Sequence, residues 1–123
     1  MKKAKADRWV KALLGGKYRQ GQERLKDEDN CYCCLGVLGE INKVSEFNLL
    51  HDQLLEDGFD QEKCGIRTPD GTPMLADDEA TGRGVKLKVG KKIQKFTDLA
   101  DANDSGASFK SIAGWIKKNY KYL

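Results

Sequence analysis

Apolar residues fall on helical spacing in three stretches of the chain. Trp9, Val10, Leu13 and Leu14 form a stripe with Arg8 and Lys11 between them. This predicts an amphipathic helix over 7–14, with Asp7 as N-cap and Gly15-Gly16 as the stop. Cys34, Val37, Leu38 and Ile41 stand at i, i+3, i+4 and i+7 and predict a second helix over 34–43. Gly36 and Gly39 lie inside it, on another face. Glycine lowers helix stability, so another element is expected to cross closely there and make this the central, most buried helix. Phe109, Ile112, Ala113, Ile116 and Tyr120 predict a third helix over 108–120, with Ser108 as its N-cap. Trp115 lies off that stripe and is expected to be partly exposed.

Between the helical stripes the period changes. Val85, Leu87 and Val89 alternate with Lys86 and Lys88, a strand with apolar residues in and lysines out. Lys17 to Asp27 reads as an extended segment anchored by Tyr18 and Leu25. Gly21 in its middle signals a bulge or a close backbone approach. Asp27-Glu28-Asp29-Asn30 is a turn signal, and Cys31-Tyr32-Cys33 is expected to return as the second strand of a hairpin. Phe96, Leu99 and Ala100 suggest a short helix broken at Asn103-Asp104-Ser105-Gly106. Phe47, Leu50, Leu54 and Leu55 suggest helical turns around His51, and Pro69-Asp70-Gly71 a turn. Residues 76–84 read as a mobile loop. There is no internal repeat and no linker. The expected fold is one α+β domain over 1–123, a small antiparallel sheet packed by three main helices.

Composition narrows the class. The chain has 123 residues, 39% of them hydrophobic; its mean hydropathy is −0.66. One globular domain with a polar surface fits these values. No membrane span and no apolar segment after the N-terminal lysines is visible, so a cytoplasmic protein is expected, with thiols rather than disulfides. The net charge of +3 hides three blocks. Residues 1–26 carry nine Lys/Arg against two Asp/Glu, residues 27–80 three against fourteen, and residues 81–123 ten against three. Such blocks can steer a charged partner, or simply face each other and water.

Three groups of residues are chemical candidates. Cys31, Cys33, Cys34 and Cys64 could form a zinc site, with His51 as a substitute ligand. Their spacing lacks the Cys-x₂₋₄-Cys knuckle, so core packing is the favoured role and no cofactor is expected. Tyr18, Gln20, Gly21, Asn103 and Asp104 could share a ligand or partner pocket, the amides offering hydrogen bonds. The same residues could instead be structural, with Asn103 a left-handed helix stop, Asp104 a turn cap and Gln20 an edge partner. Lys86, Lys88, Lys91, Lys92 and Lys95 form a basic stripe able to contact phosphate. The isoelectric point of about 8.6 and the acidic middle weigh against a nucleic-acid domain. No serine-hydrolase elbow, paired-histidine metal motif or phosphate loop is present, so no catalytic residue is assigned and a non-enzymatic role is expected.

One resemblance spans most of the chain. It rests on Trp9-Val-Lys-Ala12-Leu13, Tyr18-Arg-Gln20-Gly21, Cys33-Cys34-Leu35-Gly36-Val37-Leu38, Asn103-Asp104 and Ser108-Phe109-Lys-Ser-Ile112-Ala113. In order and spacing these resemble a group of small uncharacterised proteins common in bacteriophage genomes, with distant relatives in actinobacteria. Cys31 is an addition to that pattern, and Ala102 replaces the leucine usual before Asn-Asp. The resemblance implies a phage accessory protein in the infected host cell and brings no catalytic mechanism. The expected function is therefore host takeover or anti-defence by binding a host or defence protein, or a small nucleotide signal. The alternatives are a basic nucleic-acid-binding regulator and a zinc-stabilised interaction module.

Overall fold

The computed structural model describes residues 2–41, 43 and 85–122. The fold is α+β. In chain order its elements are α1 (Lys3–Leu14), β1 (Arg19–Gln20), β2 (Cys31–Tyr32), α2 (Cys34–Ile41), β3 (Val85–Val89), β4 (Lys92–Phe96), α3 (Leu99–Asp104) and α4 (Phe109–Asn119), followed by a 3₁₀ turn, Tyr120–Tyr122. The expected helical turns around His51, the Pro69-Asp70-Gly71 turn and the 76–84 loop lie outside the described residues.

The core is built where α1 lies against α4 and α2. Trp9, Val37, Leu38, Ile112 and Ile116 are all fully buried in it. The indole Nε1–H of Trp9 donates to the Cys34 carbonyl at 2.9 Å. A buried indole N–H needs such a partner. α1 begins a turn earlier than expected. Lys3, Ala4 and Lys5 are good helix formers, and Ala6 adds a buried position to the stripe. Asp7 is thus an exposed interior residue rather than the N-cap, and Leu14 points outward at 56% exposure.

α2 is the buried helix that its pattern promised. Every residue from Cys34 to Gly39 is buried. The element that crosses it is the chain at Leu25: a Cβ on Gly36 would overlap the Leu25 carbonyl. The last helix also follows its pattern, with Phe109, Ile112, Ala113 and Ile116 buried, Trp115 half-buried, and the Ser108 hydroxyl accepting from Ser111 N–H at 3.1 Å.

Two expectations about the strands fail. The segment 17–33 is not a simple hairpin. β1 and β2 pair in parallel, Arg19 with Cys31 and Gln20 with Tyr32, while Tyr32 also bridges Lys26 on an antiparallel side. The chain can do this because Glu23 adopts φ +69 and folds residues 22–25 away from the strand line. Asp27 then closes the turn, its Oδ1 accepting from Asp29 and Cys31 N–H, each at 2.9 Å. Phe96, expected in a helix, ends β4 instead. β3 and β4 form an antiparallel hairpin with Val85 opposite Phe96 and Val89 opposite Lys92. Gly90, at φ +61, takes the first turn position, the arrangement of a type II′ turn. β4 escapes a period-2 reading because Lys92, Ile93, Gln94 and Lys95 are all exposed.

Candidate functional site

The two small polar pairs come together. Gln20 stands at the end of β1 and Asn103 in the last turn of α3. Gln20 Nε2 donates to Asn103 Oδ1 at 2.9 Å and to the Ala107 carbonyl at 2.7 Å. Its Oε1 accepts from Phe109 N–H at 3.2 Å. Asn103 Oδ1 accepts in addition from Cys34 N–H at 3.2 Å, and its Nδ2 donates to the Gly21 carbonyl at 2.8 Å. Asp104 takes a second Nδ2 bond at 3.3 Å and accepts from Glu23 N–H at 2.8 Å, holding that left-handed residue in place. Gly21 is needed for fit, since a Cβ there would lie 2.8 Å from Cys31 Cβ.

This cluster is closed. Asn103 has no exposed surface, and its side-chain oxygen and nitrogen each serve two partners. The first amides of α2 and α4, which helical geometry leaves without intrahelical acceptors, find them here on Asn103 and Gln20. Asn103 is not itself a left-handed stop: α3 ends at Asp104 with Ser105 as its C-cap, and Gly106 takes φ +106. The cluster ties four elements together, and the amides of Gln20 and Asn103 are taken up by one another and by backbone groups.

Tyr18 belongs elsewhere. Its ring packs edge-on against Tyr32, centroids 5.1 Å apart, and Lys17 Nζ sits 5.5 Å from its centroid. It lines an open groove of 330 Å³ between the end of α1 and the end of α2, with Arg8, Lys11 and Ile41 among its walls. The Arg8 guanidinium is held there by the Ile41 carbonyl at 3.2 Å.

Cys33 and Cys34 point into the fold. The Cys33 sulfur accepts from Gly36 N–H at 3.3 Å, and the Cys34 thiol faces the Leu99 carbonyl at 3.5 Å. Burial first, then the neighbouring Cys33, pushes the Cys34 thiol well above the ordinary thiol range, so it stays protonated. Cys31 is half-buried, its thiol 3.9 Å from the Asp29 carbonyl. Among the described residues no three His, Cys, Asp or Glu side chains gather as a metal set. Cys64 and His51 lie outside those residues.

The basic stripe is where its sequence placed it, on the outer face of the β3–β4 hairpin. Lys86 stands directly opposite Lys95, and Lys88 opposite Ile93. All are exposed, Ile93 to 75%. Lys91 and Lys92 stand at the turn. Like charges directly across a ladder repel, so the Lys86–Lys95 pair weakens the hairpin slightly. No described helix is long and apolar enough to cross a membrane.

A family model described as a domain of unknown function, DUF8296, matches residues 1–120. The chain belongs to this family. No curated protein and no solved structure matches it. For this family member, two exposed features escaped the sequence reading. Ile93 breaks the lysine face of β4 with an apolar side chain, and Gly114 interrupts the lysines of α4. The signal for the first was a lone apolar residue among Lys92, Gln94 and Lys95; for the second, a glycine on the polar side of a well-formed helical stripe.

Proposed function

We propose that this is a non-enzymatic phage accessory protein, acting in the cytoplasm of the infected cell by binding an anionic host or anti-phage-defence component. The observation that carries the reading is the Lys86–Lys95 pairing on the outer face of the hairpin, flanked by Lys88 and by exposed Ile93. A like-charge cross-strand pair weakens the hairpin alone and gains when a negative partner covers it. The polar residues that could have made a small-molecule pocket, Gln20 and Asn103, are occupied with each other. The hairpin is also rigidly backed. Ser111 Oγ donates to the Lys88 carbonyl at 3.0 Å, fixing α4 against β3. Clustered positive charge raises the encounter rate with an acidic surface and makes binding sensitive to salt.

The test is a comparison of immobilised wild-type protein with its Lys86→Glu/Lys88→Glu/Lys95→Glu variant in host lysate. A component held by the wild type, eluted by salt and not held by an equally folded variant supports the proposal. Equal retention by both proteins would refute it.

A further inference from the structure

Among the described residues, nothing in the fold requires the glycine at 114. Gly36 is crossed by the Leu25 carbonyl and Gly21 is packed by Cys31, so both positions exclude a side chain. Gly114 lies mid-way along α4, exposed, and a Cβ there would meet no atom of the described residues within 4 Å. A glycine inside a helix lowers its stability relative to alanine. What it gives in exchange is room for something to touch the backbone. Its neighbours on the helix surface, at i−4, i+3 and i+4, are Lys110, Lys117 and Lys118, all exposed. Lys117 and Lys118 suit the C-terminal end of a helix dipole. Lys110, in the first turn, does not.

This face adjoins the hairpin. The bond from Ser111 to the Lys88 carbonyl joins the residue next to Lys110 to the middle of the hairpin's basic strand. The carboxylates of this half, Asp98, Asp101 and Asp104, all sit at α3 and each accepts from a backbone amide, Asp104 from Glu23 N–H. From residue 85 onward the cations are nine lysines and no arginine. Lysine is depleted at protein–protein contacts, whereas as a point charge it serves phosphate well. We propose that the outward face of α4, continuous with the hairpin, holds the sugar–phosphate backbone of a nucleic acid, with Gly114 at the point of closest approach. This rests on the reading that the lysine half is the binding face, and it names the partner's chemistry.

The test is fluorescence anisotropy with two labelled DNA duplexes of unrelated sequence and about 20 base pairs, and a labelled single-stranded RNA, across a salt series. The expected result is similar affinity for both duplexes, falling linearly on a log–log plot against salt. Lys110→Glu/Lys117→Glu/Lys118→Glu weakens binding at least about tenfold, and Gly114→Gln weakens it several-fold without lowering the melting temperature. No binding at low salt, or equal binding by the lysine variant, would overturn the assignment. Equal binding by Gly114→Gln would remove Gly114 from the contact. If nucleic acid fails while the hairpin variant still releases a protein from host lysate, the nucleic-acid partner is excluded and the binding function stands. If both fail, both fall.

Discussion

The side-chain amide of Gln20 donates to Asn103 Oδ1 at 2.9 Å across 83 positions of sequence. That bond closes the polar cluster that holds the starts of α2 and α4 to the end of α3. Asn103→Ala would leave Cys34 N–H, the Gly21 carbonyl and one Gln20 donor without their partner. The expected loss is about 2–4 kcal/mol, and Gln20→Ala should cost about 1–3 kcal/mol. Urea denaturation measures both. The double variant should lose less than the sum, because each substitution removes the same bond.

Glycine substitutions should split in sign. Gly36→Ala drives a methyl group into the Leu25 carbonyl and should destabilise by about 3 kcal/mol or more. Gly114→Ala meets open space and should stabilise by about 0.5–1 kcal/mol. Thermal midpoints of the two variants, compared with the wild type, check the pair directly.

The Lys86–Lys95 repulsion gives a third expectation. Lys86→Glu turns a like-charge cross-strand pair into an opposite-charge one and should stabilise the hairpin by about 0.2–1 kcal/mol at low salt. The gain should shrink as salt is added. A single reversal that raises stability while weakening partner binding would separate the two roles of the face.

Cys34 makes stability depend on alkaline pH. Burial raises its folded-state value above the ordinary 9.0. Below that ordinary value the thiol is neutral in both states, and its contribution to stability is fully present. As pH rises past it, the unfolded chain releases the proton and the folded chain does not. Stability therefore falls, by up to about 1.4 kcal/mol per pH unit from this group. Urea midpoints from pH 8 to pH 10.5 should show less alkaline loss in a Cys34→Ala variant, which has no thiol to titrate at this position. At neutral pH, alkylation followed by peptide mapping should leave Cys34 unmodified in native protein and modify it once urea is added.

Much of this architecture was legible because it rests on burial period. The stripes Cys34–Val37–Leu38–Ile41 and Phe109–Ile112–Ala113–Ile116 each face a continuous core, so α2 and α4 could be placed from residue spacing. The predicted crossing over Gly36 was also found, although nothing in the sequence named Leu25 as its source. The parallel pairing of β1 and β2 was hidden because it goes with a left-handed Glu23, whose N–H is held by Asp104 from 81 positions away. β4 was hidden because solvent covers most of its length. Gln20, Gly21, Asn103 and Asp104 do lie together, yet their spacing could not say whether the amides faced a ligand or each other. Tyr18 was grouped with them by proximity in sequence to Gln20 and stands at a different surface. The basic stripe was visible from its lysines, while the gap at Gly114 acquires meaning only once a Cβ there is seen to meet nothing.

The most direct test of the account is amide NMR of isotopically labelled protein titrated with a short DNA duplex at low salt. The account predicts shifts concentrated on residues 86–95 and 110–118, with the side-chain NH₂ signals of Gln20 and Asn103 unmoved because those groups are committed to one another. Shifts centred on Gln20 and Asn103, with the lysine face unchanged, would contradict it and make the amide cluster the binding site.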